Sequence, residues 1–340
     1  MKGLRLHMNE SPYPPSSKSI EYLLKYAYEV NKYYVDELQQ ELMNELSKYV
    51  GEDVSNIDIL AGSSEGLILM LTYAKVRNKR LVATHPTFHI MYRLVEEFEI
   101  PLKLIELTDD GFKLEYEELI RSSEDSVVYL INPNNPTSNI LIEDPDILRK
   151  VAKKAYALFI DEAYYEFSQK TFKELIHEHE NVAILRTMSK AFSLAGARFG
   201  YMLASVNFKK ELNKLKAGFN VPVTTQAMAL GALKDLSYAL DNVRKIINTR
   251  EELRKSLRSV GLKTIESHTN FVLIDVGIPC GKVSEGLKSL GIYVVCFEKI
   301  DPLKDKLSKY IRVTVGKPEE MMEFTQNLIK TIESVNPTKQ

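Results

Sequence analysis

A chain of 340 residues, 44% apolar and 27% charged, has an ordinary globular composition with room for about two domains. Its net charge of −1 offers no footprint for nucleic acid or an anionic membrane, no apolar run nears the ~18 residues of a membrane helix, and the N-terminus carries no signal-peptide pattern. Cys280 and Cys296 are too few for a disulfide framework or a cysteine metal site, so a reducing cytoplasm is the simplest compartment.

Residues 1–19 are polar, rich in proline and serine, and read as an extended arm. Helical spacing follows in Ile20, Leu23, Leu24, Ala27 and Val30, then in Leu38, Leu42, Leu46 and Tyr49. From Ile57 short apolar runs alternate with helical stretches. The predicted strands are 57–60, 81–84, 102–107, 127–131, 158–160, 182–185 and 201–204, with helices over 66–74, 90–98 and 147–157 among those between them. Such alternation predicts an α/β fold with a mostly parallel sheet covered on both faces. One long helix is predicted over 238–260. Strands 262–265, 271–276, 292–297 and 311–315, with helices 283–290 and 319–334, then make a smaller α+β domain. The long helix is expected to connect this domain to the larger one before it.

Ligands of an open parallel sheet sit beyond the carboxyl ends of its strands, and several polar motifs stand there. Lys190, in Thr187-Met188-Ser189-Lys190, follows one apolar run, and Arg198 lies eight residues on. A lone lysine is most often a solvated one. Asp161, Tyr164 and Asn135 stand at the ends of neighbouring runs. Amine, carboxylate, phenol and amide at successive strand ends suit pyridoxal phosphate, with the lysine forming the Schiff base. A buried Asp161 needs a cation, and a protonated pyridine nitrogen supplies one. The alternatives for Asp161 are a helix cap or a metal ligand, but no His-Glu-x-x-His or similar cluster supports a metal.

Asn135 and Tyr164 can hydrogen-bond the ring's phenolic oxygen, although Asn134-Asn135-Pro136 by itself reads as a turn. Ala61-Gly62-Ser63-Ser64-Glu65 joins a strand to a helix. Free N–H groups and the hydroxyls of Ser63 and Ser64 make a phosphate seat there, or an ordinary serine cap. Ser189 and Arg198 would complete the seat. Phe88 suits stacking on a ring face or packing in the core. Arg312, on the apolar strand Arg312-Val313-Thr314-Val315, needs an anion: a substrate group or an internal partner.

Together these segments resemble the fold-type I pyridoxal-phosphate aminotransferases, most closely the histidinol-phosphate aminotransferase branch. The resemblance rests on His7-Met8-Asn9-Glu10-Ser11-Pro12-Tyr13-Pro14, Asn132-Pro133-Asn134-Asn135-Pro136-Thr137, Asp161-Glu162-Ala163-Tyr164-Tyr165, the lysine stretch through Arg198, and Arg312-Val313-Thr314-Val315-Gly316. It implies a large domain over 36–235 with a seven-stranded sheet, a small domain built from 1–35 and 236–340, and a homodimer with sites at the interface. It implies Lys190 as the Schiff-base lysine and Asp161 on the pyridine nitrogen. Asn135 and Tyr164 would then hold the ring oxygen, and Ser63, Ser64, Ser189 and Arg198 the cofactor phosphate. Tyr34, or its neighbour Tyr33, matches a tyrosine reaching the neighbouring subunit's cofactor. Tyr13 and Arg312 match substrate-phosphate contacts.

Three positions depart from the family pattern. Ser138 stands for a glycine, Ser64 for an aspartate, and Val295 for a second substrate-binding arginine. The reaction implied is histidinol phosphate with 2-oxoglutarate, in histidine synthesis. Val295 favours an aminotransferase for aromatic or other amino acids. A threonine-phosphate decarboxylase shares much of the site, and Asn9-Glu10-Ser11-Pro12 speaks against it. A non-catalytic pyridoxal-phosphate regulator is a further alternative, but no DNA-binding domain is visible.

Overall fold

The structure is a computed structural model and describes residues 3–335. The arm forms a two-residue strand, β1 (Leu4–Arg5), before α1 (Ser17–Lys25) and α2 (Asp36–Val50). The alternating region follows as β2 (Ile57–Leu60), α3 (Ser63–Val76), β3 (Leu81–His85), α4 (His89–Glu97), β4 (Leu102–Glu106), α5 (Tyr116–Ser122), β5 (Val127–Ile131), α6 (Pro145–Lys154) and β6 (Ala157–Asp161). The short helices α7 (Tyr165–Ser168) and α8 (Leu175–Glu178) precede β7 (Val182–Thr187) and β8 (Gly200–Ala204). Helices α9 (Val206–Asn213), α10 (Val223–Leu233) and α11 (Leu236–Ser259) come next. The C-terminal region holds β9 (Lys263–Thr264), β10 (Phe271–Asp275), α12 (Cys280–Ser289), β11 (Ile292–Tyr293), β12 (Val295–Cys296), α13 (Lys304–Leu307), β13 (Tyr310–Thr314) and α14 (Pro318–Val335).

The large sheet has seven strands in the order β2-β8-β7-β6-β5-β3-β4. Only β8 runs against the others, paired antiparallel to β2 on one side and to β7 on the other. Every residue of β3, β5, β6 and β7 is buried, because helices cover both faces. Alternate residues feed two cores: Val128, Leu130, Leu158 and Ile160 point into one, Val127, Tyr129, Ala157 and Phe159 into the other.

A second sheet orders β12-β13-β10-β9, all antiparallel. The predicted strand 292–297 is broken at Val294. Its first half, β11, pairs in parallel with β1, and its second half, β12, pairs with β13. One strand therefore serves two partners, which an apolar run cannot reveal. The segment 1–35 is likewise shared out. Its β1 joins β11, whereas α1 packs on α10, where Gly231 lets the backbone of Lys18 and Ser19 approach closely. The two cysteines, too few for a framework, do form a single bridge. Cys280 at the start of α12 and Cys296 on β12 are bonded, with their Cα atoms 5.7 Å apart. Sequence distance gave no sign that this helix start would lie beside that strand.

Candidate active site

The loops that follow β2, β3, β5, β6 and β7 lie on one edge of the large sheet, because those strands run the same way. Asp161 is the last residue of β6 and lies cross-strand from Ile131. Its Oδ2 accepts from Tyr129 Oη at 2.9 Å and its Oδ1 from the Ala163 N–H at 2.9 Å. Among the described residues no cation pairs with it directly. Burial pushes the carboxyl up to about 6, against the pull of those two hydrogen bonds. Tyr129 was missed by sequence reasoning. It stands two residues before Ile131 and so shares the sheet face of Asp161. That period-2 spacing was the available signal.

Lys190 is half-buried just past β7, and its Nζ donates to the carbonyl of Met8 at 3.2 Å. Burial, then the nearby Arg312, pulls the amine down to about 8, with Glu10 opposing. Tyr164 is buried, and its hydroxyl accepts from Asn9 Nδ2 at 3.1 Å. Burial raises this phenol to about 12, opposed by Arg312 and by the Asn9 amide. Asn135 Oδ1 accepts from Arg312 Nη1 at 2.7 Å, which leaves the Asn135 amide N–H groups available to a ligand. Arg312 Nη2 donates to the His7 carbonyl at 2.8 Å, and its buried Nε has no partner among the described residues.

The loop after β5 is held by its own asparagines. Asn132 Oδ1 accepts from the N–H groups of Leu141 and Ile142. Asn134 Nδ2 donates to the Pro86 carbonyl and to Thr137 Oγ1. Ser138, where the family pattern has glycine, sits at φ 70°. Its Oγ donates to the Glu266 carbonyl at 3.1 Å, a bond that offsets the left-handed strain.

Between β2 and α3 lies a cluster of hydrogen-bond donors. Gly62 caps α3 with φ 79°, and a Cβ there would stand 2.5 Å from Arg198 Nη2. A Cβ on Gly200 would stand 2.6 Å from the carbonyl carbon of Gly62. Two glycines thus let the Arg198 guanidinium reach the helix start. Arg198 Nη2 donates to Ser64 Oγ at 3.4 Å and Nη1 to Ser189 Oγ at 3.5 Å, both long bonds. Ser63 is the first residue of α3. Guanidinium, two hydroxyls and free N–H groups converge at a positive helix terminus.

The remaining candidates lie further out. Phe88 is partly buried before α4, packed on the second core and edge-on to His89 at 5.3 Å. Tyr13 is half-buried beneath the Lys245 ammonium, 5.2 Å from its ring. Tyr33 and Tyr34 are exposed and stack on Phe219, at 5.2 and 5.6 Å. Within the chain the structure does not bring these tyrosines to Lys190. Val295 lies directly opposite Arg312 across the β12–β13 pair, so both side chains share one sheet face.

The family model described as aminotransferase class I and II matches residues 2–328. The chain belongs to this family. Histidinol-phosphate aminotransferase 1 of Carboxydothermus hydrogenoformans is 34% identical over 335 residues, covering 96% of this chain and 92% of that protein. Among solved structures, a putative histidinol-phosphate aminotransferase from Erwinia carotovora superposes with a TM-score of 0.87 at 23% identity, covering 98% and 97% of the two chains. The histidinol-phosphate aminotransferase of Sinorhizobium meliloti, solved with pyridoxal-5'-phosphate, gives 0.84 at 25% identity, covering 98% of this aminotransferase and 91% of that one. The resemblance to the histidinol-phosphate branch therefore holds over nearly the whole chain. In the aminotransferase no described helix is long and apolar enough to cross a membrane.

Proposed function

We propose that this aminotransferase binds pyridoxal phosphate at the carboxyl edge of the large sheet and moves an amino group between histidinol phosphate and 2-oxoglutarate. The observation that carries the substrate is Arg312: a buried guanidinium with an unpartnered Nε, close enough to Lys190 to depress its amine. The residues suit the cofactor. Asp161 is a buried carboxylate without a paired cation among the described residues, and a protonated ring nitrogen would be that cation. The Gly62 cradle with Ser63, Ser64, Ser189 and Arg198 suits its phosphate. Asn135 and Tyr164 keep donors for its ring oxygen, and Phe88 stands at the strand end from which a ring face could be covered.

Once bound, the cofactor supplies an electron-poor ring that stabilises charge at the donor's α-carbon. Lys190 Nζ would take the proton from that carbon as a base and deliver it, as an acid, to the cofactor's C4′ carbon. Asp161 would hold positive charge at the ring nitrogen, and Arg312 would anchor the donor's distal anion, the group that Tyr13 also matches by resemblance. The reading carries with it a cytoplasmic enzyme of histidine synthesis, divided near residues 36 and 235.

If the donor carries phosphate, Arg312 supplies most of its recognition, because Val295 offers no charge. Arg312→Ala is expected to raise KM for histidinol phosphate by roughly 10²-fold, the loss of a few kcal/mol of charge-assisted bonding. Val295→Arg, on the same sheet face, is expected to lower it. The same Val295 favours a second reading, an aminotransferase for aromatic amino acids, in which Arg312 holds a carboxylate. Comparing kcat/KM for histidinol phosphate, phenylalanine and tyrosine separates them. A clear preference for an amino acid removes the histidine-pathway reading and leaves the aminotransferase.

A homodimer is supported by the exposed aromatic cluster of Tyr33 and Tyr34 stacked on Phe219, with Leu24, Tyr28 and Val30 also exposed, Tyr28 to 93% and Tyr33 to 78%. In this reading Tyr34 reaches the neighbouring subunit's cofactor phosphate. Mixing inactive Tyr34→Ala with inactive Lys190→Ala protein is then expected to restore part of the activity, since a hybrid dimer holds one intact site. No recovery after verified subunit exchange would refute the shared site.

A further inference from the structure

Asn9 is the most heavily bonded residue of the arm, and the reaction outlined above gives it no task. It is 2% exposed and sits at φ 53°, a region that asparagine tolerates better than most residues. Its N–H donates to Thr314 Oγ1 at 2.9 Å, and its carbonyl accepts from Asn270 Nδ2 at 3.0 Å. Thr314 Oγ1 in turn donates to Asn9 Oδ1 at 3.3 Å. That hydroxyl fixes which way the Asn9 amide points. With Oδ1 committed to Thr314, Nδ2 faces Tyr164 Oη at 3.1 Å as a donor. A phenol that accepts from an amide must aim its own proton elsewhere. That leaves the Tyr164 proton for a ligand, as the Asn135 amide N–H groups are also left.

We infer that Asn9 is a positioning residue for Tyr164: its amide, oriented by Thr314, turns the phenol into an obligatory donor toward the cofactor's ring oxygen. The inference deepens the cofactor reading and rests on it. It also gives the arm a use. Thr314 lies on β13 and Asn270 just before β10, whereas Tyr164 follows β6, so one side chain ties the small sheet to the cofactor side of the large one. Arg312 stands two residues before Thr314 on the same strand, so the group that meets the donor and the group that orients the phenol share one rigid element.

The test is a pH titration of the visible absorbance of the holoenzyme, without substrate. Donors to the ring oxygen make it less basic, so losing one raises the pH at which the absorbance titrates. Asn9→Ala is expected to raise the midpoint by about one unit, the scale of one hydrogen bond. Asn9→Asp keeps the shape but replaces the donor with an acceptor that draws the phenol's proton away, and it is expected to raise the midpoint further. Thr314→Val frees the amide to turn and is expected to shift it the same way by less. In a Tyr164→Phe background Asn9→Ala adds no shift, which a merely structural role does not predict. If Asn9→Ala fails to fold, Asn9→Asp and Thr314→Val decide. Variants that retain the cofactor with a wild-type midpoint overturn the inference while leaving the cofactor reading intact. Wild-type protein that shows no visible band at all defeats the cofactor reading instead.

Discussion

Lys190→Ala is expected to lose at least about 10³-fold in turnover, within the range that a removed general base costs. The geometry suits the amine for both tasks proposed for it. Only the free base attacks a carbonyl, and only the free base takes a proton. With Nζ pulled down to about 8 by burial and Arg312, roughly one amine in ten is free at neutral pH, against roughly one in three thousand for an ordinary lysine. Capture of pyridoxal phosphate by the cofactor-free protein is therefore expected to accelerate about tenfold per pH unit up to about 8 and then level off. A rise that continues to pH 10 would show that Nζ is not depressed. Borohydride reduction of the holoenzyme, followed by peptide mapping, is expected to place the pyridoxyl group on Lys190. A label on another lysine rejects the assignment.

Much of this site could be read before any coordinates, because the parallel sheet makes it local in sequence. Lys190, Asp161, Asn135 and Ser63 each end an apolar run, and a parallel sheet brings such ends to one edge. What stayed hidden depends on long-range pairing. Asn9 meets Tyr164 across 155 residues, and Arg312 meets Asn135 across 177. No local pattern encodes either contact. The break at Val294 was hidden for the same reason: β11 and β12 form one apolar run, and only their different partners, β1 and β13, divide it. The disulfide is a third case. Its two sulfurs meet because α12 starts beside an edge strand sixteen positions later in the chain, a separation of 16 residues that carries no signal in itself. Tyr129 differs from these, since two-residue spacing along β5 pointed at it and needed only the knowledge that Asp161 was its neighbour.

Asp161→Asn is expected to retain the cofactor, lose at least about 10²-fold in rate, and stabilise the cofactor-free protein. The activity loss follows because a neutral amide cannot hold a ring nitrogen protonated, which removes one preorganised electrostatic contact. The stability gain has the opposite sign and the same origin. The unfolded carboxyl titrates near 3.8 and the folded one near about 6, so the folded, cofactor-free protein holds this proton more tightly than the unfolded chain. Stability is therefore lost as pH rises from about 4 through about 6, by on the order of 3 kcal/mol for a shift of about two pH units. Asparagine escapes that cost. Its Oδ1 can still accept from the Ala163 N–H, and its Nδ2 can donate to Tyr129 Oη, so neither existing bond is orphaned. Urea unfolding of the cofactor-free proteins at pH 4.5 and pH 7.5 tests the linkage: the gain from Asp161→Asn should be small at the lower pH and full at the higher. A gain equal at both values, together with near-normal turnover, would make Asp161 a structural carboxyl and leave the ring nitrogen without its partner.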